Sequence, residues 1–187
     1  EKVVHGSLPH AGIELLLTVG EEGGLRGAKA ASLGEVAAEC GFCLDCTGPG
    51  GGVIVRSPTQ KTINATFIGK SAHAGVVPEE GRSAVAAAAK AVAAMKLGRL
   101  DEETTANVGI IQGGEAVNIV PGRCYIQSEA RSHSLEKLEE QVSNMIDAIH
   151  LAAAEGEVDV EITVVDEFHG FDFSGGGLPI ETRKSQR

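Results

Sequence analysis

Between Pro58 and Glu167 the sequence switches repeatedly between two hydrophobic periods, and that switching leaves few folds open. The stretches "KTINATFIGK" (61–70), "TTANVGIIQGG" (104–114), "GRCYIQSEAR" (122–131) and "VDVEITVVDEF" (158–168) read as strands. The last sets Val158, Val160, Ile162 and Val164 against Asp159, Glu161 and Thr163, the two-residue period of a sheet with one wet face. Two helical stretches, 81–98 and 134–156, separate them. In the second, Leu135, Leu138, Val142, Met145, Ile146 and Ile149 repeat at helical spacing, with Ser134 placed to cap the start and Gly156 the end. The order is β-α-β-β-α-β, an α+β, ferredoxin-like sandwich.

The flanks are of another kind. Of 25 glycines in 187 residues, many cluster at "TGPGGG" (47–52) and "FSGGGLP" (173–179), which are expected to act as hinges. The chain therefore divides into residues 1–57, an inserted domain 58–167, and a return segment 168–187. Before the first hinge, Ile13, Leu15, Leu16, Leu17 and Val19 form an apolar run closed by Gly20, the pattern of a strand covered on both faces. An Ala-rich helical stretch and two short strands, "FCLDC" (42–46) and "GVIVRS" (52–57), follow. A parallel α/β sheet needs more strands and covering helices than these, so the flanks read as parts of a domain belonging to a longer protein.

At the end of the first apolar run Glu21 stands beside Glu22. Like charges there repel, and they are tolerated when a cation neutralises them or one of them holds a proton for chemistry. A net charge of −10 fits a cationic ligand and argues against nucleic acid or an anionic membrane as partner. No apolar run approaches the ~20 residues that span a bilayer. Cys40, Cys43 and Cys46, in a chain apolar enough to fold without staples, favour a reducing, cytoplasmic setting.

Four stretches in order, "TVGEEGGLRGAKA", "FCLDCTGPGG", "GKSAHAGVVPEEGRSAVAAAAKAV" and "GGEAVNIVPGRCYIQSEARS", resemble successive motifs of the dinuclear zinc exopeptidase and aminoacylase family, closest to its peptidase T-like, tripeptide aminopeptidase branch. The resemblance implies a catalytic α/β domain carrying two zinc ions, with a ferredoxin-like lid, often the dimerisation domain, inserted into it. By the same resemblance Glu21 is the general base and Glu22 a zinc ligand. Asp45 is a ligand of the other zinc, His73 stabilises the oxyanion, and Asn118 and Arg131 clamp the substrate's backbone or carboxylate. A small peptide substrate and a homodimer through the lid are implied too. The family's remaining ligands, a histidine and aspartate one residue apart, a bridging aspartate and a final histidine, have no counterpart here; His5, His10, His169 and Asp172 lack the spacing. The isolated chain is therefore expected to bind no zinc pair and to be inactive.

Other uses of the same residues are open. The C-x-x-C-x-x-C spacing of Cys40, Cys43 and Cys46 is that of an iron–sulfur electron carrier, but position 50 is Gly where a fourth cysteine belongs. The inserted domain could also be a non-catalytic dimerisation or binding module. Arg131 has a plain structural use, pairing with Glu129 or Asp166. Two surfaces suit self-association: the strand 104–114, which lacks Pro and a Lys ladder, and the small-residue face Ala84, Ala88, Ala91 and Met95.

Overall fold

The structure, a computed structural model, describes residues 12–38, 41–43 and 53–175. They fall into two compact units, one within Glu1–Ile54 and Phe173–Arg187, the other Val55–Asp172. In the first unit, Arg26–Ala30 forms a short helix, α1, and Leu33–Glu35 a single 3-10 turn. The apolar run before them corrects the expectation of a buried strand. Ile13 to Val19 carry no strand pairing, and Leu15, Leu17 and Val19 are 80–81% exposed. Such a run becomes a strand only where a neighbouring strand pairs with its backbone, and no described strand does so. Its contacts are of another kind: the Glu14 side-chain carboxylate accepts from the backbone N–H groups of Ala37 and Ala38, and Gly27 N donates to Val19 O at 2.8 Å.

The Val55–Asp172 unit contains β1 Arg56–Ser57, β2 Thr59–Ile68, β3 Ala72–His73, α2 Ala84–Ala94, β4 Gly98–Arg99, β5 Thr104–Gly113, β6 Ile119–Val120, β7 Arg123–Ser132, α3 Leu135–Glu155, β8 Asp159–Phe168 and β9 Phe171–Asp172. The six long elements are those expected from the sequence. The main sheet is antiparallel with order β4-β5-β7-β2-β8, so its four long strands have the ferredoxin-like arrangement. Of the described part of the expected strand 52–57, residues 53–57, only β1 is paired; it pairs with β9, Arg56 opposite Asp172.

One face of the sheet carries Ile63, Ala65, Phe67, Ala106, Cys124, Ile126 and Ala130, all at most 3% exposed. Against it pack Leu138, Val142, Met145 and Ile149 of α3 and Ala84, Ala87, Ala88 and Ala91 of α2. Each large side chain so buried contributes about 1.5–3 kcal/mol. Here a second expectation is corrected: Ala84, Ala88 and Ala91 are 0% exposed and Met95 9%, so that face of α2 is core rather than a contact surface. Its small residues let α2 lie close to the sheet and to α3. The cap expected at the start of α3 is present, Ser134 Oγ accepting from Lys137 N, and α2 has one as well, Ser83 Oγ accepting from Ala86 N. At the end of α3 Gly156 stays right-handed, and the left-handed residue is Glu157, φ 50°. Leu135, expected inside, is 59% exposed.

The other face of the sheet is polar, and no described helix packs over it. Asn64 Oδ1 accepts from Tyr125 Oη at 2.7 Å and from Gln127 Nε2 at 2.9 Å, so these half-buried groups satisfy one another across β2 and β7. β4 covers β5 only where Gly98 faces Ala106 and Arg99 faces Thr105. Past Ala106 the outer edge of β5 is uncovered by any described strand, with Ile110 44% and Ile111 52% exposed. No described helix is long and apolar enough to cross a membrane.

Charged groups tie one end of this unit together. Arg56 pairs with Glu103 and Asp172 at 3.1 Å each, and Lys137 pairs with Glu103 at 2.8 Å and Asp101 at 3.2 Å. The backbone N–H of Glu103, then Lys137 and Thr104, hold the pKa of the Asp101 carboxyl down at about 2. Its folded pKa lies below the ordinary carboxylate value of 3.8, so its stabilising effect is present above that value and is lost as pH falls toward 2. We expect the urea midpoint of this unit to fall across that window, and Asp101→Asn to flatten the fall while lowering the midpoint at neutral pH. An unchanged pH profile in the variant would rule out this contribution of the Asp101 carboxylate.

Candidate active-site groups

His73 and Asn118 are brought together by a two-stranded contact. β3 pairs with β6 so that His73 faces Ile119, and Ala74 N donates to Asn118 O at 2.9 Å. The turn after β3 folds back on the histidine: Val76 N and Val77 N both donate to His73 O at 3.1 Å, and Gly75 N donates to His73 Nδ1 at 3.2 Å. A ring nitrogen that accepts carries no proton, so the neutral imidazole has its proton on Nε2 and offers an exposed donor there. That is the tautomer an oxyanion needs. The sequence showed the histidine but not the part played by Gly75.

Beside this pair is a cavity of about 260 Å³ lined by Ser71, Gln112, Glu115, Ile119, Arg123 and Tyr125, among others. Its charged members were not foreseen, since they converge only when the 114–122 loop closes between β5 and β7. Among the described residues no carboxylate pairs with Arg123.

Arg131 lies at the other end of β7, eight residues from Arg123, a separation of roughly 27 Å along the strand. It is on the polar face of the sheet, where Glu129 grips it through Nε at 3.1 Å and Nη2 at 2.9 Å. The foreseen pairing with Glu129 is thus present, whereas Asp166 is taken by Lys61 at 3.3 Å. His73 and Asn118 are held together; Arg131 of the same chain is not with them.

Glu21 and Glu22 occupy a tight turn that Gly20 (φ 68°) and Gly24 (φ 90°) permit. Glu21 O accepts from Gly24 N at 3.1 Å and Leu25 N at 2.9 Å. Both carboxylates are exposed and make no hydrogen bond or ion pair among the described residues. Asp45 lies outside the described residues, as do Cys40 and Cys46, His5 and His10. Cys43 is exposed and Cys124 is buried in the core of the larger unit. Among the described residues no three His, Cys, Asp or Glu side chains converge as a metal site requires. A zinc site uses three or four donors, usually with imidazole among them, so Glu22 fits such a site as one contributor and does not make it alone.

The peptidase dimerisation domain matches residues 59–157, from the start of β2 to just beyond α3. The chain is similar to the solved aminopeptidase PepT of Bacillus cereus, at 46% identity and a TM-score of 0.76 over 90% of this chain and 45% of that one. It is similar to a tripeptidase of Staphylococcus aureus, at 43% identity and a TM-score of 0.78 over 86% of this chain and 43% of that one. YqjE of Bacillus subtilis is 46% identical over 180 residues, 95% of this chain and 48% of that protein. The chain thus spans about half the length of these relatives.

Proposed function

We infer from one fact, that this chain belongs to the M20 peptidase family and carries its dimerisation domain, that the parent protein is a zinc-dependent exopeptidase removing the amino-terminal residue of small peptides, tripeptides among them. The observation that carries the substrate class is the similarity, over most of this chain, to a solved aminopeptidase and a solved tripeptidase. In this reading residues 58–167 are the lid, and 1–57 and 168–187 belong to the catalytic domain. Glu22 and Asp45 are among the groups that would hold the two ions, whose contribution when bound is a water acidic enough to lose its proton near neutral pH. Glu21 would be the group that accepts a proton from water there and returns it to the departing amine. His73 Nε2–H donates to the oxyanion, worth about 3 kcal/mol of transition-state stabilisation for one such donor. Asn118 and Arg131 position the substrate, Arg131 at its carboxylate.

Distance bears on how these groups meet. Ser71 lies against Gly122 at the start of β7, with His73 two residues beyond, whereas Arg131 is near the strand's other end. An extended tripeptide spans only ~10 Å. That supports a site to which one lid gives Arg131 and a second lid gives His73 and Asn118. The uncovered edge of β5, with Ile110 and Ile111 exposed, is the surface that suits pairing of two lids.

The test is product analysis with the full-length parent protein, zinc-loaded, on di- and tripeptides and N-acetyl amino acids. Release of the free amino-terminal residue from tripeptides is expected, abolished by a chelator and restored by zinc. Cleavage confined to N-acetyl amino acids would replace peptidase by aminoacylase chemistry.

A further inference from the structure

We propose that Glu129, itself held by Gln60, is a positioning residue that presets the Arg131 guanidinium for a substrate carboxylate. The inference rests on the role given to Arg131 above. Glu129 Oε1 accepts from Arg131 Nε at 3.1 Å and Oε2 from Arg131 Nη2 at 2.9 Å, a bidentate grip on one edge of the planar fork. Gln60 Nε2 donates to the same Oε2 at 2.8 Å from the neighbouring strand, where Gln60 is opposite Arg131 in register. These three contacts make a short chain on the polar face of the sheet: β2 fixes Glu129, and Glu129 fixes Arg131.

What the grip leaves open gives it a use. A guanidinium has five N–H donors, of which Glu129 takes Nε–H and one on Nη2. The opposite edge, Nη1 with the second Nη2 proton, has no acceptor among the described residues and matches a second carboxylate. Arg131 is 41% exposed and Glu129 32%, so an ion pair here adds little to stability, and an ungripped arginine would sample many rotamers. Ordering it before the substrate arrives removes that cost from binding. Partial neutralisation by Glu129 also weakens the pull on anions in general and leaves selection to the bidentate geometry.

The experiment uses the full-length parent enzyme and two substrates, a tripeptide and the same tripeptide with a carboxy-terminal amide. Arg131→Ala should raise KM for the acid by at least ~30-fold and change the amide by less than ~3-fold, because only the acid offers the fork a partner. Glu129→Gln and Glu129→Ala should raise KM for the acid about tenfold, with kcat within ~3-fold and the amide nearly unaffected. Gln60→Ala should show the same pattern more weakly, and Glu129→Asp should recover part of the loss. A merely structural role would impair both substrates alike. If Arg131→Ala discriminates between acid and amide but the Glu129 variants do not, the positioning role is overturned and the carboxylate reading stands. If Arg131→Ala does not discriminate, the carboxylate reading fails and this inference falls with it.

Discussion

Glu21→Gln in the full-length parent should lower kcat by at least ~100-fold while leaving zinc content nearly unchanged, whereas Glu22→Ala should lower metal occupancy together with activity. Glutamine keeps the size and hydrogen-bonding reach of glutamate but cannot accept and return a proton, so the loss reads the proton shuttle. The turn makes the comparison clean. Both carboxylates are exposed and unpaired among the described residues, and the turn is held by backbone bonds to Glu21 O rather than by either side chain. Neither substitution removes a contact on which the local fold depends, so each effect is on chemistry or metal rather than stability. Metal analysis beside kinetics decides. Equal loss of metal in the two variants would overturn this division of roles, since a group that only shuttles a proton holds no metal.

The lid was legible in the sequence because each of its elements satisfies a local rule and the global one together. The α3 repeat from Leu138 to Ile149 and its Ser134 cap appear as read, and so does the alternation of Val160 and Ile162 against Glu161. Two misreadings have physical sources. A stripe of small residues such as Ala84, Ala88 and Ala91 permits close approach of either a partner chain or the chain's own sheet, and composition does not say which. The run Ile13 to Val19 has the hydrophobicity of a strand, but strand structure is a property of pairs, and its partners are not among the described residues. The candidate site was legible only through motifs. Glu21, His73, Asn118 and Arg131 could be singled out by resemblance, but the proton on His73 Nε2 follows from a hydrogen bond to Gly75 N, and the cavity around Arg123 and Glu115 from loop closure. Neither leaves a periodic trace in the sequence.

Co-expression of two full-length variants, His73→Ala and Arg131→Ala, each strongly impaired on a free-acid tripeptide supplied well below KM, should restore activity on that substrate to about a quarter of wild type, if two-fold symmetric dimers form at random. The expectation follows from where the groups sit. Arg131 is eight residues along β7 from Arg123, while His73 and Asn118 are joined to each other beyond the Arg123 end, through Ala74 N and Asn118 O. One small peptide that touches both Arg131 and His73 then draws them from two lids. In a mixed dimer the His73→Ala chain supplies an intact Arg131 and the Arg131→Ala chain an intact His73, so one site is complete and the other lacks both. Half of the dimers are mixed and half of their sites are whole, which gives the quarter. Light scattering should report a dimer for each variant alone, since neither residue lies on the uncovered β5 edge. If a single lid supplied both groups, no mixed dimer would contain a complete site. Co-expression would then yield no more activity than the two variants assayed apart, and the shared-site reading would be withdrawn.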